Sequence, residues 1–257
     1  MRKYGYLVVE GQHDVEFVYR LLSPYGLSRI QYEKDLDHSF LPLIPRQYPP
    51  NGDLHKSMSI PLFLQSKTFA IAVHNAGGDS RLVAMIEENA AILDLNAITG
   101  IGILLDSDRM IPAAQRYADI KERLAKINYL LDEVPGVITE SKPKIGAFVL
   151  PDNVSDGTLE DLLLDSAKQV YPALLASAET HVNGALQNAE LTSDDLNDLK
   201  KPAGRNKAIM GTMSNILRPG KAIQVSIQDN RWLRGNALSI PRIKAVQEFL
   251  RNLFELP

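Results

Sequence analysis

The chain has 257 residues, a net charge of −3, and 45% hydrophobic against 23% charged residues, the make-up of one large globular domain or a domain with an appendage. That balance excludes a globally basic nucleic-acid binder, so any contact with DNA or RNA must use a local basic patch, a metal or a basic partner. There is no cysteine, which excludes disulfides, thiolate metal sites and cysteine nucleophiles.

The apolar segment after Met1-Arg2-Lys3-Tyr4 meets Glu10 too soon for a signal peptide. No apolar run approaches the roughly 20 residues that cross a bilayer, so a cytoplasmic protein without membrane contact is expected. Tyr6-Leu7-Val8-Val9 reads as a short buried strand ending in Glu10-Gly11-Gln12-His13-Asp14. Helix spacing follows at Val15, Val18, Leu21 and Leu22, with Asp14 as the expected N-cap and Ser23-Pro24-Tyr25-Gly26 as the stop. Residues 31–67 hold Pro42, Pro45, Pro49, Pro50 and Pro61 and an Asn51-Gly52 turn signal. That proline density forbids a long helix and predicts either a solvated loop or hairpin, or an insertion that touches substrate or partner through Arg46, His55, Lys56 and Lys67.

Thr68 to Val73 reads as a second strand, followed by the turn His74-Asn75-Ala76-Gly77-Gly78 and a helix capped by Asp79 or Ser80 and running to about Ala91. Gly77-Gly78 either turns the chain or lets a substrate approach closely. Ala97 to Leu105 is apolar on both faces, as in a strand buried on both sides, and stops abruptly at Asp106-Ser107-Asp108. Pro112 suits a first helical turn, with helix expected to about Asp132 and a break at Pro135-Gly136. Ile145 to Leu150 is a fourth strand ending in Pro151-Asp152-Asn153, and Thr158-Leu159-Glu160-Asp161 begins another helix. From about Val170 the pattern is helical: Val170 to Leu186, Arg205 to Leu217, and an amphipathic closing helix through Ile243, Val246, Phe249, Leu250 and Leu253. Ala222 to Ile227 is read as an edge strand. Strand–helix alternation predicts an α/β fold with a mostly parallel central sheet flanked by helices. The expected domains are a catalytic domain over 1–165, with the insertion 31–67, and a mainly helical region over 166–257 packed on it.

Carboxylates cannot follow an apolar strand into the core, so Glu10 and Asp106/Asp108 must emerge at the carboxyl edge of the sheet, where open α/β folds bind ligands. Along an extended strand, Asp106 and Asp108 would face one way and repel each other unless a cation lies between them. Mg²⁺ accepts one or two carboxylates plus water and phosphate oxygens. Neighbouring negative charge favours the protonated form of Glu10, which suits proton transfer. The competing reading is helix capping for each of these acids. Asp152, Asp156 and Glu160 are candidates for a second metal. Arg109, Arg205 and Lys207 are candidates to hold phosphate, and Arg109 equally to neutralise Asp106. His13 is either part of the site or a cap.

Val8-Val9-Glu10-Gly11-Gln12-His13-Asp14, followed about 90 residues later by Ile103-Leu104-Leu105-Asp106-Ser107-Asp108, resembles the Toprim fold. This is the topoisomerase–primase catalytic domain, shared with overcoming-lysogenization-defect nucleases. The resemblance covers roughly Tyr4 to Asp165. It implies that Glu10 is the acid–base residue and a third oxygen donor, and that Asp106 and Asp108 bind Mg²⁺ or Mn²⁺. The segments Leu150-Pro151-Asp152-Asn153 and Gly157-Thr158-Leu159-Glu160-Asp161 resemble small stand-alone Toprim-like proteins, some relatives of which act in phage defence beside an ATPase.

These features predict a metal-dependent nuclease that hydrolyses DNA or RNA phosphodiesters, an antiviral effector in keeping with the resemblance. The alternatives are a partner-regulated subunit of an ATPase complex that is inactive alone, and a small-phosphoester hydrolase. Self-association into a homo-oligomer is left open. No Gly-x-x-x-x-Gly-Lys-[Ser/Thr] is present, which excludes a P-loop. The Asp-x-Asp lies on the third expected strand with Met110 after it, unlike a haloacid-dehalogenase phosphatase, and no Gly-x-Gly-x-x-Gly follows the first strand.

Overall fold

A computed structural model of the protein describes residues 2–47, 59–108 and 110–257. Six strands form one sheet: β1 (Lys3–Val9), β2 (Ser28–Arg29), β3 (Leu62–Gln65), β4 (Phe69–Asn75), β5 (Ile98–Asp106) and β6 (Lys144–Leu150), in the order β2-β3-β4-β1-β5-β6. β1 runs parallel to both β4 and β5, and β2–β3–β4 form an antiparallel edge. Eight α-helices occur among the described residues: α1 (Gln12–Leu22), α2 (Leu82–Ala90), α3 (Ala113–Ala125), α4 (Leu159–Val170), α5 (Pro172–Ala185), α6 (Gly204–Leu217), α7 (Ile223–Asp229) and α8 (Pro241–Phe254). The fold is α/β, with the β–α alternation expected from the hydrophobic pattern. No helix among the described residues is long and apolar enough to cross a membrane.

Contacts divide the chain into two compact units. The first comprises Met1–Leu105, Tyr117–Phe148 and Gln247–Pro257; the second comprises Asp106–Arg116 and Val149–Val246. The units are interleaved, whereas the sequence suggested a single cut at 165.

In the first unit, β1 is the buried spine: Tyr6, Leu7, Val8 and Val9 are all fully buried. The end of α8 lies against a face of the sheet that is floored by glycines. A Cβ on Gly5 would stand 2.4 Å from Phe254, one on Gly146 2.9 Å from Phe249, and one on Gly100 2.4 Å from the Leu253 carbonyl oxygen. Phe249 also packs on Phe148 with ring centroids 5.4 Å apart. Glu255, just past α8, pairs with Lys3 (2.6 Å) and Lys144 (3.0 Å), the first residues of β1 and β6. Hydrogen bonds from these two lysines hold its carboxyl at about 2.

In the second unit, Trp232 is fully buried. Its Nε1 donates to Ser226 Oγ (2.9 Å), its ring meets Tyr171 at 5.6 Å, and Ser166 Oγ donates to its carbonyl.

Several local expectations are corrected. Gly11, not Asp14, is the N-cap of α1; Asp14 sits at the third helical position, where its Oδ2 accepts from the Gly11 N–H (2.8 Å). Asp79 and Ser80 form a 3-10 turn before α2, and the Asp79 carboxylate pairs with Arg123 (3.1 Å). α3 ends at Ala125 because Asn128 turns left-handed (φ 64°) and Tyr129 N–H closes back on the Leu124 carbonyl (3.0 Å). Residues 222–227 belong to α7, not to a strand. Their apolar spacing fits either period over so short a segment, and burial of Ile227 with Ser226 against Trp232 selects the helix. In the 31–67 insertion, the described residues hold the four-residue edge strand β3 (Leu62–Gln65), which pairs with β4, and short 3-10 turns at Glu33–Asp35 and His38–Leu43. His55 and Lys56 lie outside the described residues.

The expected outcomes fall into two groups, the first at glycines and the second at a buried histidine. Gly100→Val forces side-chain atoms onto the Leu253 backbone and is expected to destabilise the protein by about 3 kcal/mol in urea unfolding. Gly184→Ala, on α5 with open space around its Cβ position, is expected to stabilise by about 0.5–1 kcal/mol. The second concerns His74 on β4, which is 4% exposed, with Nδ1 bonded to Tyr6 Oη (3.1 Å) and Nε2 to Ser59. Burial pushes its pKa from 6.5 down to about 4, despite the Ser59 carbonyl. The unfolded chain therefore binds a proton near pH 6.5 that the folded chain refuses until about pH 4. Stability is lost as pH falls through this window, by about 3 kcal/mol. Chemical unfolding of the wild type and His74→Gln at pH 7 and pH 4 should show the wild type losing that much more than the variant.

Candidate functional site

β1 delivers Glu10 at its carboxyl end, where the chain turns into α1 at Gly11. Glu10 is half-buried. The Gly77-Gly78 turn wraps its backbone: Ala76 N–H donates to the Val9 carbonyl (2.9 Å) and Gly78 N–H to the Glu10 carbonyl (3.0 Å). Both glycines have positive φ (75° and 129°) with open space at their Cβ positions. Backbone conformation is thus what requires glycine here. His13 is the second residue of α1 and is half-buried.

β5 ends on Asp106, which is half-buried and held at two points. Its Oδ1 accepts from the backbone N–H of Leu159, the first residue of α4 (2.9 Å), and its carbonyl accepts from Arg116 Nε (3.0 Å). Asp106 therefore does cap a helix, but the helix is α4 from 53 residues downstream. A carboxylate held by an amide retains acceptor sites, and such a bond fixes the orientation of a metal ligand.

Extended spacing does not carry Asp108 to the same face as Asp106. The strand stops at Asp106, Ser107 N–H turns to the Leu150 carbonyl (3.2 Å) and Asp108 N–H to the Gly157 carbonyl (3.2 Å). These bonds pull the chain out of the sheet, and Asp108 takes a left-handed backbone (φ 64°) with its side chain exposed.

The register of the sheet brings the two strand ends to one edge. Val9 stands opposite Leu104 in parallel pairing. The next residues, Glu10 from β1 and Leu105 from β5, leave at the same carboxyl edge. Among the described residues, no group of three or more His, Asp or Glu side chains is gathered so as to hold a metal ion. Mg²⁺ asks for less, since one or two carboxylates with water and substrate phosphate suffice. The carboxylate oxygens present are chemically the right donors.

The remaining candidates have other partners. Asp152 accepts from Val154 and Ser155 N–H (3.1 and 2.6 Å) and from Ser155 Oγ (2.9 Å), and it pairs with Arg242 (2.9 Å). Burial raises its pKa, but the Ser155 and Val154 bonds and the Arg242 charge outweigh that and hold it below the usual carboxylate range. Asp156 accepts from the N–H of Ala113, the first residue of α3 (3.3 Å). Glu160 is buried in the first turn of α4. Arg205 is drawn to α5 by Asn183 (3.1 Å) and Glu179 (3.9 Å), and Lys207 is exposed. Arg109 lies outside the described residues.

Residues 4–255 match the family described as "Protein of unknown function (DUF3226)". The chain belongs to that family. It is also similar to a hypothetical protein from Pyrococcus horikoshii OT3 known from a crystal structure, at a TM-score of 0.55 and 16% identity, covering 98% of this chain and 95% of that one. At that identity the likeness concerns the fold alone. No curated protein matches the chain.

Sequence reasoning passed over Ser107, the residue between the two acids, which is fully buried. Its Oγ accepts from Gly157 N–H (2.7 Å) and donates toward the Gly157 carbonyl (3.0 Å), stapling the end of β5 to the loop before α4. A small hydroxyl between two acids was the available signal. Ser107→Ala in this DUF3226 chain strands the Gly157 amide and is expected to cost about 1–3 kcal/mol, read as a lower urea midpoint with an unchanged slope.

Proposed function

We propose that this protein is a Mg²⁺- or Mn²⁺-dependent hydrolase of nucleic-acid phosphodiester bonds, acting through Glu10, Asp106 and Asp108. The observation that carries the reading is the parallel register of β1 and β5, with Val9 opposite Leu104. Open α/β sheets bind ligands at the carboxyl ends of their parallel strands, and each of these two strands runs into an acid at that end. The resemblance of Val8-Val9-Glu10-Gly11 and Leu104-Leu105-Asp106-Ser107-Asp108 to the Toprim pattern supports the same assignment.

In this reading Asp106 would hold the cation, with Asp108 reaching it only by a turn of its exposed side chain, and the bound cation would polarise the scissile phosphate and stabilise its developing charge. Asp106 is oriented for that task by the Leu159 amide, as a metal ligand commonly is by a neighbouring donor. Glu10 moves the proton between the attacking water and the leaving oxygen. With a net charge of −3, the chain lacks a global field to neutralise phosphates, so local cation chemistry must do it.

The test is cleavage of plasmid DNA and of tRNA by purified protein with Mg²⁺, Mn²⁺ or EDTA. Cutting that needs the metal, and that falls about 100-fold or more in Glu10→Gln and in Asp106→Asn, is expected. The asparagine retains an acceptor for the Leu159 N–H, so folding is preserved. Cutting that persists in EDTA, or in both variants, overturns the assignment.

A further inference from the structure

A cavity of about 230 Å³ opens in the first compact unit, between the start of α1 and the β2–β3–β4 edge. Its position relative to Glu10 follows from the chain. Gln12, which lines it, is two residues past Glu10, and Asn75, which also lines it, pairs with Val9 in the sheet. The cavity therefore borders the strand end that carries Glu10.

Its lining combines two kinds of surface. Val15, Val73 and Ile60 are apolar walls, whereas Gln12, Asn75 and the Glu16–Arg29 ion pair are polar. Glu16 is only 4% exposed. The Arg29 guanidinium lies over the Tyr19 ring at 4.2 Å, and its buried Nε has no hydrogen-bond partner among the described residues. The Arg29 side chain is 28% exposed and that of Glu16 5%, so the cationic member of the pair is the more accessible from the cavity. The volume falls below the roughly 300 Å³ at which pockets for drug-sized ligands begin. One flat ring system fits a cavity of that size.

We propose that this cavity binds a single unpaired nucleobase. Amide, guanidinium and carboxylate groups are the side chains that read base edges, and the apolar part of the lining suits a face of a base taken out of its stack. The role of the site, selecting the nucleotide beside the scissile phosphate, rests on the hydrolase reading; the binding itself does not.

The experiment is calorimetric titration with each of the four ribonucleoside 5′-monophosphates, with ribose 5-phosphate as the ligand lacking a base, and with a single-stranded tetranucleotide. At least one monophosphate should bind saturably, and about tenfold or more tighter than ribose 5-phosphate. Tighter binding of the tetranucleotide assigns the site to a strand, and equal binding assigns it to free nucleotides; both support base recognition. Ile60→Trp fills the cavity from a residue that is 51% exposed, so its melting temperature should hold while base binding falls about tenfold. Gln12→Ala, on an exposed helix position, provides a second variant with the same expectation and a smaller loss. No saturable binding below about 1 mM, equal binding of ribose 5-phosphate, or an Ile60→Trp variant that binds like the wild type overturns the proposal. Glu10→Gln separates the two readings, because it should abolish cleavage and leave base binding intact. Base binding in a protein that cuts nothing would overturn the hydrolase alone, and cutting without base binding would overturn the pocket alone.

Discussion

The close approach of the C-terminal helix to a glycine floor is the constraint on which the sheet depends. β1, β5 and β6 each lack a side chain where α8 crosses them: Gly5 under Phe254, Gly100 and Gly102 under Leu253, and Gly146 under Phe249. The strands lose packing area at these positions, and α8 returns it by setting large apolar groups directly onto backbone. The Glu255 pairs with Lys3 and Lys144 then tie the chain end to the first residues of β1 and β6. Segments about 250 residues apart in sequence thus fix the strands whose opposite ends carry Glu10 and Asp106.

That arrangement separates rigidity from chemistry along each strand. The middles of β1 and β5 are apolar and covered, and their carboxyl ends run straight into polar residues. Pleating sets Gly100, Gly102 and Leu104 on one face of β5, and the two glycines there receive Leu253 of α8. Beyond Asp106, backbone hydrogen bonds to Leu150, Gly157 and Leu159 replace sheet pairing. Such bonds hold a short polar segment in one conformation without burying charge. α1 serves a comparable purpose after β1: Gly11 and Asp14 cap it, and Gln12 and Glu16 on its first turns face the cavity.

Much of this was legible in advance, and the parts that were not share a cause. Strands β1, β4, β5 and β6 announce themselves by apolar runs that end in polar turns. The helices α1, α4, α6 and α8 announce themselves by their period. β3 did not, because four residues between Pro61 and Ser66 carry too little pattern, and β2 has only two. α7 did not, because seven residues fit either period. The placing of Asp106 beneath the N-terminus of α4 was invisible for a different reason, since no local pattern links a strand end to an amide 53 residues away.

The sequence by itself determined the α/β class and the exit of Glu10 and Asp106 from apolar strands, because burying a carboxylate in an apolar strand is prohibitively costly and a hydrophobic period is a local property. Only the tertiary structure decided the strand order, the register of Val9 with Leu104, the left-handed turn at Asp108, and the cavity beside Glu10. These depend on which distant segments meet, and that choice is made by packing and by the pairing of buried polar groups, not by the neighbours of each residue in the chain.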